Sequence, residues 1–338
     1  MTMSAGEPRL TTEPGVEPTT TVPLTGQARS RVLLQNYAIY LVFILLVVAG
    51  AVLLGGKFLS TQNFLNIGQA VTFTGFAALG MLFVTTSGGF VDLSIPAAMG
   101  AAGVITLALM DGGLDPSVAI LAGIASGLVL GLVNGVLIGV VRTNPVLTTL
   151  GTNVAALGVA LIFTQGDYVY TQDPFFTQIG QGRLFGIIPN IIVLVAIGAV
   201  IAHLLLTYTV FGRWVYPTGG NYSAARAAGV PVRRVMISVF VISGMFAAMG
   251  GVLLASVLGS ARTTAGAGME FNAIAAVAIG GNSIFGGAGT VARTVIGVLI
   301  VGVLNNLMVL LGIPAESQDI VKGALIAGAV FLDLRLRK

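Results

Sequence analysis

The chain has 338 residues, of which 56% are hydrophobic and only 8% are charged, whereas a soluble globular protein carries about 25% charged residues. This composition excludes an ordinary soluble protein, and the 47 glycines, about twice the usual share of roughly 7%, suit helices that approach closely in lipid. The formal net charge is +4, and the absence of cysteine excludes disulfides and thiolate metal sites.

The first 28 residues form a segment of different composition. It contains "TTEPGVEPTTTVPLTG", which is rich in Thr, Pro and Glu and nearly free of large apolar side chains. Such a segment buries too little apolar surface to offset its ordering entropy, so residues 1–28 are predicted to be a disordered cytoplasmic tail. A basic region followed by a short apolar core does not come first, which argues against a signal peptide.

Apolar stretches then follow one another, each close to the roughly 20 residues that a helix needs to cross a bilayer. The predicted spans are 37–56, 66–87, 91–110, 117–141, 145–164, 188–211, 234–258, 270–285, 291–312 and 317–333. The eighth is the shortest and is not expected to cross as one straight helix. The sequence therefore predicts an all-α, polytopic transmembrane bundle over residues 29–338, with about ten membrane segments, some broken or re-entrant.

Basic and acidic residues separate when both termini are placed in the cytoplasm. The inside segments then contain Arg29, Arg31, Arg142, Arg213, Arg226, Arg233, Arg234, Arg293, Arg335, Arg337 and Lys338. The outside segments contain Lys57, Arg183 and Arg262, with most of the acids, Asp111, Asp115, Asp167, Asp173, Glu316 and Asp319. This distribution follows the positive-inside rule and predicts an even number of spans.

The longest predicted outside loop, about residues 165–187, carries four aromatic residues, Tyr168, Tyr170, Phe175 and Phe176. They can lie at the lipid interface, where amphipathic rings are enriched. Alternatively, they form a contact surface for a protein that docks from outside.

The segment 280–290, "GGNSIFGGAGT", contains Gly280, Gly281, Gly286 and Gly287. Two of these glycines have the spacing of a phosphate-binding loop, but Gly and Ala stand where that loop requires Lys and Ser or Thr. The segment is therefore predicted to be a glycine-rich bend at membrane depth or at the inner face. Irregular backbone there needs hydrogen bonds from protein or from a water-filled cavity.

A second interruption, "TTSGGFVDLSIPAAMG", occupies residues 85–100 and contains Gly88 and Gly89. Two glycine-interrupted segments, one in each half of the chain, indicate a substrate path between broken helices. Asp92 follows these glycines and has two interpretations. It caps the helix that has Pro96 in its first turn, with Ser94 sharing the cap, or it takes part in gating or solute contact.

Polar residues within the predicted spans are few, namely Asn134, Thr148, Thr149, Thr152, Asn153, Asn272, Asn305 and Asn306. Each one is able to hydrogen bond to a neighbouring helix, and that is the simpler role for any single residue. As a group they predict a path lined by hydroxyls and amides, which suits a neutral polar solute better than an ion. No catalytic or metal-binding motif is recognised, so no enzyme activity, metal or cofactor is expected.

The longest predicted inside loop, 212–235, contains "NYSAARAAGV". Asn221 or Ser223 is a candidate cap, good helix formers follow, and Gly229 precedes Pro231. A short helix is therefore predicted near 221–229. Its small residues favour insertion into a groove of a partner protein, although an interfacial helix attracted to lipid headgroups by nearby arginines is the alternative.

The pattern "AARAAGV", followed directly by a hydrophobic span, resembles the coupling helix of permease subunits of bacterial ABC importers of the ribose or monosaccharide type. Other stretches resemble elements of this family in the same order: "TSGGFVDLS" (86–94), "NPVLTTLGT" (144–152), "TTAGAGMEFNAIAAVAIGGNSIFGGAGT" (263–290) and "GVLNNLMVLLGI" (302–313). The resemblance covers about residues 60–333. Departures from the family pattern are one additional residue within Phe90–Val91 and Asn144 in place of proline.

The resemblance implies an assembly of two permease copies, expected to be a homodimer, with cytoplasmic ATPase subunits, an extracellular or periplasmic solute-binding protein and a bacterial inner membrane. It assigns ATPase coupling to Asn221, Ser223, Ala224, Ala225, Arg226, Ala227, Ala228 and Gly229. The expected translocation path comprises Asp92, Ser94, Asn153, Asn272, Asn282 and Asn305.

The expected function is ATP-driven import of a neutral polar solute such as a monosaccharide or polyol, with hydrolysis on the separate ATPase. Two alternatives stay open. One is a permease of the same superfamily for branched-chain amino acids or nucleosides. The other is a secondary transporter driven by an ion gradient, for which Asp92 is the candidate ion site. Nucleic acid is not an expected partner.

Overall fold

The computed structural model of the chain describes residues 26–336, and its regular structure is almost entirely helical. The helices are α1 (Gly26–Leu54), α2 (Gly56–Leu59), α3 (Thr61–Thr86), α4 (Ile95–Asp111), α5 (Pro116–Val136), α6 (Pro145–Thr164), α7 (Pro174–Gln181), α8 (Asn190–Tyr208), α9 (Val210–Gly220), α10 (Tyr222–Ala227), α11 (Val232–Leu258), α12 (Met269–Ile279), α13 (Val291–Leu310) and α14 (Ala315–Leu336). A five-residue π-helix, Leu137–Val141, continues α5. The strands are β1 (Val169–Tyr170), β2 (Arg183–Leu184), β3 (Ile188–Pro189) and β4 (Ser260–Ala261).

Six helices in the described part of the chain are long and apolar enough to cross a membrane: α3, α5 with its π-helical extension, α6, α8, α11 and α13. The apolar part of α1 (Ile39–Leu54), α4 and α12 are shorter. The predicted all-α, polytopic fold is therefore confirmed. Each of the ten predicted spans coincides with a helix, but the number of complete crossings stays a prediction beyond these six.

Two boundaries differ from those predicted. Residues 1–25 of the predicted tail lie outside the described residues, whereas residues 26–28 belong to α1, because no proline or further glycine interrupts the helix before the first span. The eighth predicted span, 270–285, ends as a helix at Ile279, because the chain turns at Gly280 and Gly281.

Two helices lie in segments that were predicted to be loops. Helix α7 begins with the Asp173 side chain accepting the Phe176 N–H at 2.9 Å and with proline at the next position. Helix α9 begins with the Thr209 hydroxyl accepting the Gly212 N–H at 3.1 Å. Both are too short to cross a bilayer, so the hydrophobicity that identified the spans gave no signal for them.

Helix α11 lies at the centre of the bundle and packs against α3, α4 and α5. Its approach to α5 depends on small residues, since a Cβ atom added to Gly127 or Gly131 would collide with the backbone of α11 at Gly244 or Phe240. Close backbone approach through small residues is typical of helices that associate in lipid. Ser243 lies on this central helix and is fully buried.

The connections between the helices alternate between two ends of the bundle. One end carries α10, and we call it the α10 end. At the far end, β1 pairs antiparallel with β4, with Val169 opposite Ala261, so the segment before α7 is joined to the segment after α11. A second small hairpin pairs β2 with β3.

Candidate functional site

The predicted short helix is present as α10, and its ends have the predicted chemistry. The Asn221 side chain accepts a hydrogen bond from the Ala224 N–H at 2.9 Å, which makes Asn221 the N-cap. Gly229 follows the helix with φ of +83°, a conformation that glycine adopts without strain. Helix α10 is therefore held in shape by its own sequence.

Six residues of α10 and its C-terminal end leave their side chains exposed: Tyr222, Ser223, Ala224, Arg226, Ala227 and Ala228. Ala225 is the exception, because it is only 4% exposed and faces the rest of the bundle. Ala225 therefore anchors α10, whereas the exposed side, of small side chains with one arginine and one tyrosine, is available for contact.

Helix α10 is joined to the bundle through the end of α9. Gly219 and Gly220 end α9 and directly precede the cap residue Asn221. The Tyr216 hydroxyl, one turn earlier, donates a hydrogen bond to the Gly289 carbonyl oxygen at 2.8 Å. The segment before α10 is thus fastened to the glycine-rich segment 280–290.

Three interrupted segments meet at one place, which we call the glycine junction and define by Gly88, Gly219, Gly286 and Gly287. A Cβ atom added to Gly286 would lie 2.6 Å from the Gly219 carbonyl oxygen and 2.9 Å from the Gly88 Cα atom. A Cβ atom on Gly219 would collide with the Thr86 carbonyl oxygen. The glycines of the segment 280–290 are therefore needed because the chain segments approach too closely here to leave room for side chains.

The other predicted structural glycines have local roles beside this junction. A Cβ atom on Gly280 would lie 2.5 Å from the Arg293 carbonyl oxygen, and Gly281 has φ of +71°. A Cβ atom on Gly89 would lie 3.0 Å from the Val84 side chain.

Asn282 organises the segment between α12 and α13. Its amide nitrogen donates hydrogen bonds to the Val277 carbonyl oxygen at 3.1 Å and to the Thr294 hydroxyl at 3.0 Å, and its amide oxygen accepts from the Thr290 N–H at 2.7 Å. The side chain is buried and its polar atoms all have partners within the chain. In this conformation Asn282 therefore ties the end of α12 to the start of α13.

Asp92 lies just before α4 and is 1% exposed. One carboxylate oxygen accepts hydrogen bonds from the Ser94 N–H at 2.9 Å and from the Ser94 hydroxyl at 2.5 Å, and the other accepts from the Ser243 hydroxyl at 2.7 Å. The carboxylate thus holds the Ser94 backbone at the start of α4 and links it to the central helix α11. The N-cap of α4 is Ser94, whose side chain makes no cap bond, and Asp92 binds the N–H of Ser94 itself, so the predicted N-cap role of Asp92 is wrong.

The Asp92 cluster continues to two further helices. The Asn134 amide on α5 donates to the Ser94 hydroxyl at 2.8 Å, and the Thr152 hydroxyl on α6 donates to the Asn134 amide oxygen at 2.6 Å. Four elements are thereby joined by one chain of buried or half-buried polar contacts. We call Asp92, Ser94, Asn134, Thr152 and Ser243 the polar cluster.

Helix α6 also supplies acceptors for two backbone N–H groups, one just before α4 and one in its first turn. The Thr149 hydroxyl accepts from the Leu93 N–H at 3.1 Å, and the Asn153 amide oxygen accepts from the Ala97 N–H at 3.0 Å. Helices usually satisfy such groups with a local cap, so this cap supplied by another helix was not predicted. A movement of α6 therefore acts directly on the start of α4.

Asn272 lies on α12 and Asn305 lies on α13, two helices that pack against each other with Ala276 beside Gly297. Both side chains are half-buried. Both amide oxygens are buried and have no hydrogen-bond partner.

Residues 63–330 match the model of a family described as the permease component of the branched-chain amino acid transport system. The ribose import permease protein RbsC of Bacillus subtilis is 40% identical over 294 residues, which cover 86% of this chain and 90% of that protein.

Two further relatives come from Escherichia coli K12. The L-arabinose transport system permease protein AraH is 37% identical over 299 residues, covering 88% of this chain and 90% of that protein. The ribose import permease protein RbsC is 34% identical over 297 residues, covering 87% of this chain and 92% of that protein. No solved structure matches the chain.

Proposed function

The chain belongs to the family of permease components of branched-chain amino acid transport systems, and from this premise we propose that it is the membrane subunit of an ATP-driven ABC importer for a monosaccharide or polyol. The membership confirms the resemblance recognised from the sequence motifs. Relatives named for ribose and L-arabinose transport, at 34–40% identity, support a sugar over other solutes. The observation that carries the proposal is α10, whose exposed small face is joined through the glycine junction to two broken segments.

ATP is hydrolysed by a separate ATPase subunit, which docks on the exposed face of α10. Small alanine side chains at Ala224, Ala227 and Ala228 let the helix enter a groove closely. The buried Ala225 side chain holds α10 to its own bundle, so a displaced α10 carries the attached segments with it. This arrangement turns nucleotide-driven movement of the ATPase into a change between inward-facing and outward-facing states.

The solute path passes the hydroxyl and amide groups of the bundle. Asn272 and Asn305 have unsatisfied amide oxygens, which accept hydrogen bonds from sugar hydroxyls. Asn153, Asp92, Ser94 and Asn282 are occupied by contacts within the chain in this conformation, so they act on the path by holding its walls.

The protein is a multi-pass protein of a bacterial plasma membrane, with about ten membrane segments and both termini in the cytoplasm. The arginines at the α10 end support this orientation, since Arg142, Arg213 and Arg226 are exposed there. The far end then faces outward and receives a solute-binding protein. A second permease copy, identical in a homodimer, completes the path between the two subunits.

A measurement of coupled hydrolysis tests the proposal. The purified permease, its ATPase and its binding protein are combined in vesicles, and hydrolysis is recorded with and without ribose or L-arabinose on the binding protein. We expect the loaded binding protein to stimulate hydrolysis only when the permease is present. Ala224→Trp should abolish this stimulation, because the indole blocks the exposed face. Ala125→Trp, at an exposed position within α5 and away from both ends of the bundle, is the control and should keep the stimulation.

Stimulation by a branched-chain amino acid or a nucleoside, and not by a sugar, would reject the solute class and keep the coupling mechanism. Equal stimulation by the wild type and Ala224→Trp would reject α10 as the coupling element.

A further inference from the structure

Two arginines from separate elements line one open cleft at the α10 end. Arg226 lies on α10, and Arg142 ends the π-helix that continues α5. Together with Tyr222, Ser223 and Ala227 they line a cavity of about 490 Å³. We call this cavity the arginine cleft.

The two arginines have no carboxylate partner in the part of the chain whose side chains are described. The one ion pair there joins Lys322 and Asp319, elsewhere in the structure. Among the described connections at the α10 end, the one acid is Asp92, which is buried and bonded to serine hydroxyls. The positive charge of the cleft is therefore left for another molecule to neutralise.

Arg142 is held in position by its backbone. Its φ of +66° is uncommon for a residue with a side chain. The backbone N–H of Arg142 donates to the Leu137 carbonyl oxygen, and the Thr143 N–H donates to the same oxygen at 3.1 Å. The turn thus fixes the edge of the cleft opposite α10.

A second cavity, of about 370 Å³, shares Arg142 and Tyr222 with the arginine cleft. It is also lined by Gly88, Gly219 and Phe285, so it extends from the cleft to the glycine junction. The cleft is therefore the outer part of a cavity system that reaches the joint between the broken segments.

We infer that the arginine cleft binds an aspartate or glutamate side chain of the ATPase subunit, so that the ATPase grips α10 and the start of α6 together. The inference rests on the proposed function and adds a second contact to it. Planar guanidinium groups recognise carboxylates with paired hydrogen bonds, and two of them facing one cleft suit a single acidic side chain.

The contact has a consequence for the path through helix α6. Asn144, two residues after Arg142, caps α6 by accepting the Val146 N–H at 3.0 Å. Along α6, Thr149 and Asn153 hold the start of α4. A carboxylate bound by Arg142 therefore pulls on the polar cluster through α6, while Arg226 transmits the same movement to α10 and the glycine junction.

The test measures the affinity of the ATPase subunit for the purified permease in a lipid-free detergent. The variants are Arg142→Gln, Arg226→Gln and the double variant, with Arg213→Gln as the control. Arg213 is an exposed arginine that lines neither cavity, so its change removes the same charge outside the cleft. Monodisperse elution and an unchanged Tm establish that each variant is folded.

We expect each cleft variant to weaken ATPase binding about tenfold. The double variant should weaken it little further, because both arginines hold the same carboxylate. Arg213→Gln should change affinity by less than about threefold. A charge swap identifies the carboxylate. The permease variant Arg142→Glu should bind the ATPase poorly, and replacing one particular acidic residue of the ATPase by lysine should restore the binding.

If the wild-type permease binds the ATPase, and Arg142→Gln and Arg213→Gln both change the affinity equally and only slightly, the cleft contact is overturned while the proposed function stands. Failure of the wild-type permease to bind the ATPase would overturn both. An Arg142→Gln effect confined to nanodiscs that contain phosphatidylglycerol, and absent in detergent, would assign the cleft to a lipid headgroup and reject the carboxylate.

Discussion

The backbone N–H of Gly287 donates a hydrogen bond to the Thr86 carbonyl oxygen at 2.9 Å. This bond joins the end of α3 to the glycine-rich segment between α12 and α13, about two hundred residues apart in the sequence. Gly219, at the end of α9, lies against both partners. The contact places the two interrupted segments and the link to α10 at a single point, so this point is where movement of α10 reaches the bundle.

A side chain at Gly219 should break this joint. In Gly219→Ala the new methyl group collides with the Thr86 carbonyl oxygen and lies 2.7 Å from the Gly287 nitrogen, so backbone segments must move apart. We expect a loss of about 1 to 3 kcal/mol in the free energy of unfolding and a larger loss of solute uptake. Thermal unfolding and vesicle uptake measure the two effects.

Gly220→Ala is the matched control, because its added methyl group would have its nearest neighbour, the Gly287 Cα atom, at 4.0 Å. Equal effects of the two substitutions would show that the close packing at Gly219 does not matter.

The cap of α10 should be needed for coupling. In Asn221→Ala the Ala224 N–H loses its acceptor, which costs about 1 kcal/mol of helix stability, and a six-residue helix frays readily. We expect ATPase stimulation to fall several-fold with little change in Tm. Ser60→Ala removes the corresponding cap of α3 at the far end, where Ser60 accepts the Asn63 N–H at 3.2 Å. Loss of stimulation in Ser60→Ala to the same extent would contradict a specific role of α10.

The carboxylate of Asp92 should stabilise the bundle. In Asp92→Asn an amide nitrogen replaces one of the two oxygens that accept hydrogen bonds from serine hydroxyls. Because the amide nitrogen only donates, the polar cluster is left with unsatisfied groups. We expect a loss of about 1 to 3 kcal/mol in the free energy of unfolding and a marked loss of uptake. Asp115→Asn, which changes an exposed capping acid, should cost much less.

The same variant also separates the two transport mechanisms. If Asp92 binds a coupling ion, uptake by Asp92→Asn should no longer depend on the ion gradient. In an ATP-driven permease, uptake by the wild type does not depend on an ion gradient. Uptake by the wild type that follows a proton or sodium gradient without ATP would favour the ion-driven mechanism.

Removal of the α6 contact with α4 should slow transport more than it destabilises the fold. Asn153→Leu keeps the size of the side chain but leaves the Ala97 N–H without its acceptor. We expect a destabilisation of about 1 kcal/mol and a several-fold slower uptake at saturating solute. Substitution of the exposed neighbour Val154 by Leu is the control. If Asn153→Leu takes up solute as fast as the control, the contact between α6 and α4 does not contribute to transport.

Local signals in the sequence predicted much of the fold. Runs of apolar residues locate all the long helices, and glycine pairs locate the breaks after α3 and α12, because both depend on short stretches of chain. The cap at Asn221 and the stop at Gly229 were predicted for the same reason. Helix α7 had an equally local signal, Asp173 followed by Pro174, that hydrophobicity alone does not use.

Contacts between distant segments were not predictable from these patterns. The capping of α4 by Asn153 joins residues more than fifty positions apart, and the third member of the glycine junction, Gly219, was missed although "TGGN" marked a break there. The burial of Ala225 was also missed, because a six-residue helix of small side chains has no apolar face that reveals which side packs.

Uptake of radiolabelled ribose or L-arabinose into vesicles tests the central claim most directly. The vesicles hold the permease alone, or the permease with its ATPase, ATP inside and the binding protein outside. We expect accumulation against a gradient only in the complete system, and its loss when Ala224→Trp blocks α10. Accumulation by vesicles that contain the permease without the ATPase would contradict ATP-driven transport.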